Sequence, residues 1–490
     1  MKNSIVLTFV ALALLTSCDN DVVDSQNGTA SAGKSANSKN KSIAFVDRSV
    51  TPAFLDLKEG FKNVSITTLL SSEDVLMESP DFVYGSMADG AGLIKNNDGT
   101  FTLINNIEAD YSIARITLDQ TFKPVKGEYI INAAATANTA QCSGSLISPE
   151  EHGFGPLYLS GGEWGGSSKG VFLTNPFKDA ADASSSEMLN AFGQWSTENA
   201  VVIGKDAFPG KTVAFIGDDH SDNNIPSGQL GMYVGNHGDL YGGKLYGLKV
   251  TDANVNFEVD MVEGKSYPMT FVELEEKNID LLDAEAKAKG VMGFSRLEDI
   301  DWRRGSAANN REIYFCVTGR KRASLLGKGT AYGRVYKVVL NENDPTAAGT
   351  ITCILDGDIL DGKAKTFHSP DNILATKNYL YIQEDPNGYP DTPEKSHFAY
   401  MYQYDLNSGK LEVVLECDQN KAASMGYGSA SNDWEITGMI DISDIIKEES
   451  TFLLITQNHG WENPNFTDPK ANPSTDSNEG SMLYVIRGLK

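Results

Sequence analysis

The stretch Lys365–Glu416 constrains the fold most, because it contains one complete sheet of short strands. Four runs rich in β-branched, aromatic and aliphatic residues alternate with turn-forming Asn, Pro and Gly. The predicted strands are Pro370–Ala375, Tyr379–Gln383, Phe398–Tyr404 and Lys410–Leu415. The stretch therefore predicts a four-stranded antiparallel meander.

The same unit recurs along the chain. Further predicted strands are Thr197–Ile203, Val213–Asp219, Gln229–Val234, Lys244–Val250, Phe294–Asp301, Glu312–Val317, Ala331–Leu340, Glu435–Ser443, Phe452–Gln457 and Ser481–Ile486. One such sheet cannot bury both of its faces alone, so repeated units predict radial closure into an all-β propeller. A large β-sandwich with insertions is the alternative. Two segments, Lys178–Phe192 and Asn278–Lys289, have helix-forming composition and predict small helical insertions, the second ending at Gly290.

The amino-acid composition restricts the kinds of molecule that the chain is expected to bind. The net charge of -25 argues against nucleic acid, since phosphate backbones are bound by Lys and Arg. The same charge fits either a merely soluble acidic surface or carboxylates that bind cations. We expect a monomer whose 490 residues include a single large repeat domain.

The first residues predict export and lipid anchoring. A short basic start precedes the apolar run Ser4–Leu15, which is too short to span a bilayer as a mature helix. Leu15-Thr-Ser-Cys18 resembles the processing site of bacterial lipoproteins. We therefore predict a signal peptide at 1–17, acylation of Cys18, a flexible tether at 18–42 and one propeller domain at 43–490, held by lipid at the outer membrane or cell surface. An ordinary signal with a chance cysteine is the alternative.

Two acidic clusters, Asp371-Asn372 and Glu384-Asp385, lie where neither a buried nor an exposed strand face requires them. Acidic residues also recur at the first strand of successive units. They are Glu198, Glu298, Asp371 and Glu435. In a propeller the first strand of each unit lines the axis, so these carboxylates are expected to converge and to bind cations, which would relieve their repulsion. Cys142 lies in a small polar loop where a thiolate could reach a metal, whereas Cys316, Cys353 and Cys417 lie in apolar strands typical of buried small residues.

An ordered set of short motifs resembles the PhoX-type alkaline phosphatases. It runs from about Asp89 to the end of the chain, and no single piece is specific. The motifs are Asp89-Gly-Ala-Gly92, Asp98-Gly-Thr100, Cys142-Ser-Gly144, Leu159-Ser-Gly-Gly-Glu163, Glu198-Asn-Ala200, Gly217-Asp-Asp219, Gly243-Lys-Leu-Tyr-Gly247, Arg296-Leu-Glu298, Ser369-Pro-Asp-Asn372, Glu435-Ile-Thr-Gly438 and Gln457-Asn-His-Gly460.

The resemblance implies a six-bladed propeller whose channel holds an iron and calcium cluster that hydrolyses small phosphate esters. By motif, Cys142 and Glu163 look like iron ligands, and Glu198 and Glu298 like carboxylates of the cluster. Candidates for the calcium side are Asp371, Asn372, Glu384, Asp385 and Glu435. Arg296 looks like the phosphate-binding arginine, although an arginine this close to Glu298 can also be a structural ion-pair partner.

General chemistry supports part of this assignment. Calcium takes six to eight oxygen ligands, which carboxylates and Asn carbonyls supply, whereas the softer thiolate suits iron. With metals in place, phosphoryl transfer needs mainly positioning and electrostatic stabilisation, and no serine nucleophile. His459 could protonate the leaving oxygen, or could be a turn histidine bonded to backbone.

Two departures from the family pattern qualify the prediction. The family's His-Glu pair is replaced by Asn105-Asn-Ile-Glu108, and the loop between Cys142 and Glu163 lacks a Trp-Gly-Thr segment and a second cysteine. Either the pocket entrance or the metal set differs. A calcium-dependent propeller lactonase or phosphodiesterase, and a non-catalytic surface binding propeller, are therefore the alternatives to a phosphomonoesterase.

Overall fold

The structure is a computed structural model that describes residues 42–220, 223–386, 392–431, 434–473 and 477–490. Residues Ile43–Lys490 form one compact unit. The predicted signal peptide, Cys18 and the tether up to residue 41 lie outside the described residues. Among the described residues, no helix combines the length and apolarity needed to cross a membrane.

Strands dominate the described chain. The first thirteen are β1 Leu55–Leu57, β2 Ser65–Ser71, β3 Ala88–Lys95, β4 Phe101–Ile107, β5 Ser112–Leu118, β6 Pro124–Ile131, β7 Thr139–Ile147, β8 Leu157–Gly165, β9 Gly170–Thr174, β10 Glu187–Met188, β11 Thr197–Val202, β12 Lys211–Asp218 and β13 Leu230–Asn236. The others are β14 Lys244–Val250, β15 Ser266–Leu274, β16 Leu297–Trp302, β17 Glu312–Val317, β18 Arg334–Val339, β19 Gly349–Asp356, β20 Pro370–Ala375, β21 Tyr379–Glu384, β22 Tyr400–Asp405, β23 Leu411–Cys417, β24 Glu435–Asp441, β25 Thr451–Glu462 and β26 Glu479–Arg487.

Helices are short. They are α1 Pro149–His152, α2 Ile279–Lys289, α3 Gln419–Ser424 and α4 Ser443–Ile446, with 3₁₀ turns at Ala180–Asp182, Asn190–Phe192, Glu258–Asp260, Asn309–Arg311, Ala323–Leu325 and Pro393–Lys395. The helix predicted over Asn278–Lys289 is confirmed: the Asn278 side chain caps its start, and Gly290 ends it with φ 77°. The helix predicted at Lys178–Phe192 is wrong, since that segment contains two 3₁₀ turns and β10.

The sheets are antiparallel meanders. Their strand orders are β3-β4-β5-β6, β10-β9-β8-β7, β11-β12-β13-β14-β15-β19-β18-β17-β16, β1-β23-β22-β21-β20 and β2-β26-β25-β24. The nine-stranded sheet contains two four-strand units, β11–β14 and β16–β19. They are joined because one half of β15 pairs with β14 and the other half pairs with β19.

The last sheet is completed by the N-terminal strand β2, which pairs with β26 from Ser65↔Arg487 to Ser71↔Met482. This explains why only three strands were predicted after Glu435: the fourth strand of that sheet comes from the other end of the chain. Closing a circle of sheets with both chain ends buries edges that would otherwise be exposed.

Six strands lie innermost, and each contacts the next in a closed circle, in the order β3, β7, β11, β16, β20, β24 and back to β3. The large hydrophobic clusters contain side chains from successive units; Phe215 of β12, for example, shares a cluster with Phe315 of β17. The predicted all-β, propeller-like architecture is confirmed.

Polar side chains connect neighbouring inner strands. The Asp299 carboxylate on β16 accepts from the Ile373 N–H of β20 at 3.0 Å, and Asp301 accepts from Ala375 N–H at 2.8 Å. On the other side, Asn199 of β11 donates to the Ile300 carbonyl at 3.0 Å. These bonds satisfy buried backbone groups that no sheet ladder reaches, and they fix the inner strands against one another.

Candidate metal centre

Each innermost strand carries one potential metal ligand at or near its first residue. These are Asp89 on β3, Cys142 on β7, Glu198 on β11, Glu298 on β16, Asp371 on β20 and Glu435 on β24. The groups lie close enough to influence one another across the circle: Glu198 interacts electrostatically with Asp89, Asp371 and Glu298. Glu435 interacts electrostatically with Asp371 and Asp89, so the four acids that the sequence predicted to converge lie near one another.

A β-bulge interrupts every one of these strands; it includes the ligand-type residue in five of them and begins two residues after Glu435 in β24. The register with the second strand shifts between Ala88 and Ala91, Gln141 and Gly144, Thr197 and Ala200, Leu297 and Ile300, Pro370 and Ile373, and Thr437 and Ile440. A bulge bends the strand and redirects side chains, and bulges are common beside functional sites. The repeated irregularity is how a regular sheet aims one side chain per unit towards the axis.

Backbone strain recurs at the same place. Met87, Arg296 and Ser369 have φ values of 59°, 65° and 59°, and each lies two residues before the ligand-type acid of its strand. Non-glycine residues in the left-handed region cost of order 1 kcal/mol or more each and cluster at functional sites.

A second tier of acids comes from the far ends of the second strands, which lie next to the starts of the first strands in each antiparallel pair. They are Glu108 after β4, Glu163 within β8, Asp219 after β12 and Asp385 after β21. Glu163 interacts electrostatically with Asp219, Glu298 and Glu108, so the two tiers form one cluster.

Cys142 lies at the centre of two overlapping groups of potential ligands. Ligand atoms of Asp89, Glu108 and Cys142 lie within 4.8 Å of one another, and so do those of Cys142, Glu163 and Glu198. The Cys142 Sγ is 2.8 Å from the Glu163 Oε2. Two atoms bound to one ion at 2.0–2.5 Å are separated by at most about 5 Å, so both groups have the dimensions of a metal site.

Burial and mutual repulsion dominate the electrostatics. They raise the pKa of the carboxyls of Asp89, Glu198, Glu298, Asp371 and Glu435 well above the ordinary range, burial being the larger cause. Burial followed by neighbouring carboxylates likewise raises the thiol pKa of Cys142. A bound cation reverses this conflict, because it stabilises the charged forms that burial disfavours.

Arg296 contacts two acids of the cluster, Asp219 after β12 and Glu298 on β16. Its Nε donates to the Asp219 Oδ1 at 3.0 Å, and its Nη2 lies 3.2 Å from both the Asp219 Oδ2 and the Glu298 Oε1. These neighbouring carboxylates raise the pKa of Arg296 although burial acts in the opposite direction. Arg296 is therefore a permanently charged, oriented guanidinium at the edge of the cluster.

His459 is bonded to a side chain rather than to backbone. Its Nδ1 lies 2.8 Å from the Glu479 Oε2, and the other oxygen of Glu479 accepts from the Gly460 N–H at 2.7 Å. Burial alone would lower the pKa of His459, but the bond and charge of Glu479, with Asp385 and Glu108, raise it. Glu479 therefore favours the protonated form of the imidazole.

Three buried amide side chains offer further oxygen ligands. The Oδ1 atoms of Asn106 and Asn372 and the Oε1 of Gln457 have no hydrogen-bond partner among the described residues. Their NH₂ groups are occupied: that of Asn372 donates to the Ser143 Oγ at 2.7 Å, and that of Gln457 to the Glu108 Oε2 at 2.8 Å. Because orphaned buried oxygens are costly, these atoms fit ligands of a hard cation such as calcium.

The structure brings most predicted site residues together, but it separates Glu384 from the rest. The carboxylate of Glu384 accepts from the His368 and Tyr400 N–H groups and from the Tyr402 hydroxyl, at 2.8–2.9 Å. In a strand, successive side chains point to opposite faces. Asp385, the next residue, therefore turns towards the cluster, where it influences Glu435, while Glu384 packs inside its own sheet.

Three members of the cluster were not predicted as ligands: Asp89, Glu108 and Asp219. Asp89 follows the same pattern as Glu198 and Glu298, an acid beside the first residue of an inner strand, and this pattern would have identified it. Glu108 and Asp219 follow the last residues of second strands, as Asp385 does.

The four cysteines of the described residues are free and buried; they are Cys142, Cys316, Cys353 and Cys417.

A family model described as alkaline phosphatase PhoX matches residues 174–457, more than half of the chain. The chain belongs to the PhoX family. The matched segment contains Glu198, Asp219, Arg296, Glu298, Asp371, Asp385 and Glu435. PhoX proteins are metal-dependent, and the cluster described above supplies groups suited to metal binding.

Solved structures show a weaker likeness. The chain resembles a GH43 β-1,3-galactosidase at 12% identity and TM-score 0.35, covering 84% of this chain and 94% of that one. It resembles the Neurospora crassa Pan2 WD40 domain at 9% identity and TM-score 0.35, covering 87% of this chain and 96% of that one. It also resembles a Coprinopsis cinerea GH62 α-L-arabinofuranosidase at 11% identity and TM-score 0.31, covering 71% of this chain and 95% of that one. No functional conclusion follows from scores this low. No match is found among curated proteins.

Proposed function

We propose that this PhoX-family chain is a phosphomonoesterase that hydrolyses organic phosphate esters at an iron and calcium cluster in the channel of a six-bladed propeller. The observation that carries the proposal is the ring of ligand-type side chains, one on each inner strand, with Arg296 at its edge. Six inner strands in a closed circle support six blades, the nine-stranded sheet counting as two.

The ligand roles follow the chemistry of the donors. Cys142 and Glu163 would hold iron, because a thiolate suits a softer ion than calcium. Glu198 and Glu298 would complete the cluster from the next two inner strands. The calcium side would be formed by oxygen donors, which are Asp371, Asn372, Asp385, Glu435, Asp89, Glu108 and the amide oxygens of Asn106 and Gln457.

Metal ions held by these residues would supply Lewis acidity towards the phosphate oxygens and the attacking water. The chain itself supplies positioned charge and a proton. The Arg296 guanidinium, oriented by Asp219, binds the phosphate oxygens and neutralises the charge that grows on them. His459, whose Nδ1 is bonded to Glu479 and whose pKa that bond raises, would donate a proton from Nε2 to the leaving oxygen.

The test compares three ester classes on the purified, metal-loaded chain. We expect phosphate release from p-nitrophenyl phosphate to be much faster than hydrolysis of bis-p-nitrophenyl phosphate or of a γ-lactone. A faster diester or lactone reaction would favour the related calcium-dependent hydrolase. Bound metal with no hydrolysis of any of the three would favour the non-catalytic binding propeller.

The same proposal places the protein at the cell envelope, tethered through acylated Cys18. The Leu15-Thr-Ser-Cys18 motif, which resembles a lipoprotein processing site, supports this placement. An exported enzyme would meet external phosphate esters. Labelling of cells with a radioactive fatty acid tests it. We expect label in the wild-type chain and none in Cys18→Ser, whereas equal labelling of both would contradict the anchor.

A further inference from the structure

The opening of the cluster can be located from which side chains retain exposure. Asp89, Glu198 and Glu298 are at most 4% exposed, whereas the Arg296 and His459 side chains are 23% and 22% exposed. A substrate would therefore approach from the side on which the Arg296 and His459 side chains are exposed. Its phosphate would contact Arg296, and the rest of the ester would extend over the surrounding rim.

The aromatic side chain of Trp164 lies near this opening. Trp164 follows Glu163 in β8 and is 37% exposed, although large aromatic residues are usually more deeply buried. Its position follows from its own contact: the indole is hydrogen-bonded to Glu108, whose carboxyl group interacts electrostatically with His459.

The indole is held rigidly although it is exposed. Its Nε1 donates to the Glu108 Oε1 at 2.6 Å, and the Tyr111 ring packs against it edge to face, with centroids 5.7 Å apart and planes at 76°. Gly165 allows the chain to turn away immediately afterwards, with φ 83°. The Nε1–H group of Trp164 is therefore hydrogen-bonded within the protein, and the exposed part of the indole ring is apolar and flat.

A rigid, flat apolar surface beside a phosphate site suits a flat organic group. We propose that Trp164 is a specificity-determining residue that stacks on a planar aromatic leaving group, so that nucleoside monophosphates are preferred over aliphatic phosphate monoesters. This inference rests on the proposed phosphomonoesterase activity. Stacking on a fixed ring loses little conformational entropy on binding, and it accepts any base because every base has a flat face.

The experiment compares adenosine 5′-monophosphate with ribose 5-phosphate. The two esters share the same bond to be broken and the same sugar carbon, and differ in the base. We expect the metal-loaded wild type to prefer the nucleotide by about tenfold in kcat/KM, which is a typical value of one base–aromatic stack. In Trp164→Leu the ratio should fall to about one.

Trp164→Phe is the matched variant, since it keeps a flat ring but loses the N–H bonded to Glu108. It should lower both reactions together and preserve most of the nucleotide preference. Thermal unfolding of both variants identifies a folding defect. The ratio of kcat/KM for the two esters is then measured at a temperature at which the variant is folded.

A wild-type ratio near one, or a ratio unchanged in Trp164→Leu, would overturn the stacking role while leaving the phosphatase intact. Failure of the metal-loaded wild type to hydrolyse either ester would overturn the proposed function itself, and the inference with it.

Discussion

Replacing Arg296 tests the catalytic use of the cluster. In Arg296→Ala the site loses a guanidinium that bonds Asp219 at 3.0 and 3.2 Å and lies 3.2 Å from Glu298. Removing one such charge-stabilising donor typically lowers the rate 10²- to 10³-fold. Because the side chain is 23% exposed and partly screened, we expect the lower end, about 10²-fold in kcat/KM.

Arg296→Lys refines the test. It keeps the charge but lacks the planar fork that bonds two carboxylates at once, so we expect about a tenfold loss. The assay is phosphate release under substrate-limited conditions, with metal content measured on the same samples. Arg48→Ala is the control, because that arginine contacts the Thr121 hydroxyl on an exposed part of the surface. Loss of less than about threefold in Arg296→Ala, at unchanged metal content, would refute the phosphate-binding role.

Three other predictions follow from the same contacts. Cys142→Ser should abolish tightly bound iron while calcium is retained, as measured by elemental analysis, because a hydroxyl is a harder and weaker ligand. In the metal-free protein the buried acids have raised pKa values, so the folded state binds protons more tightly than the unfolded state does. The melting temperature of the metal-free protein should therefore fall as the pH rises above about 4, the ordinary pKa of a carboxyl group. Added metal should remove this pH dependence. Glu258→Ala should lower the free energy of unfolding by about 3 kcal/mol, measured in urea, because Glu258 accepts from the buried Ser295 and Thr330 N–H groups at 2.9 and 3.0 Å.

Each of these has an outcome that contradicts it. Unchanged iron in Cys142→Ser would remove the thiolate from the site. An equal or higher melting temperature at pH 8 than at pH 5 in chelated protein would contradict the raised pKa values. For Glu258 the control is the exposed Glu78→Ala, which should change stability by no more than about 0.5 kcal/mol; a similar small change in Glu258→Ala would refute the argument.

Much of the propeller could be predicted where strands are rich in β-branched and aromatic residues. The bounds of β14, β17 and β20 agree with the sequence prediction or differ by no more than one residue. The units β3–β6 and β7–β10 were not predicted as strands. Glycine, alanine and small polar residues lower the strand propensity of β3 and β7. The isoleucine, valine and threonine residues of β5 and β6 are typical of strands and would have allowed their prediction. The pairing of β2 with β26 joins residues about 400 positions apart, which no local pattern indicates.

The candidate site was predictable to the extent that it repeats. An acid at the start of successive first strands predicted Glu198, Glu298, Asp371 and Glu435, and the same rule extends to Asp89. The side on which a residue points was harder to predict: Glu384 and Asp385 are adjacent, and only the second faces the cluster. A bulge of one residue reverses that choice, and bulges leave little trace in the sequence.

Elemental analysis of the purified chain is the most direct test of whether five acids and Cys142, one side chain from each of the six inner strands, hold metal. We expect both iron and calcium in the wild type, with calcium lowered in the double variant Asp371→Asn, Glu435→Gln and unchanged by the control substitution Glu78→Gln. A wild-type chain that carries neither metal, when purified from cells grown with both, would contradict the proposed metal centre.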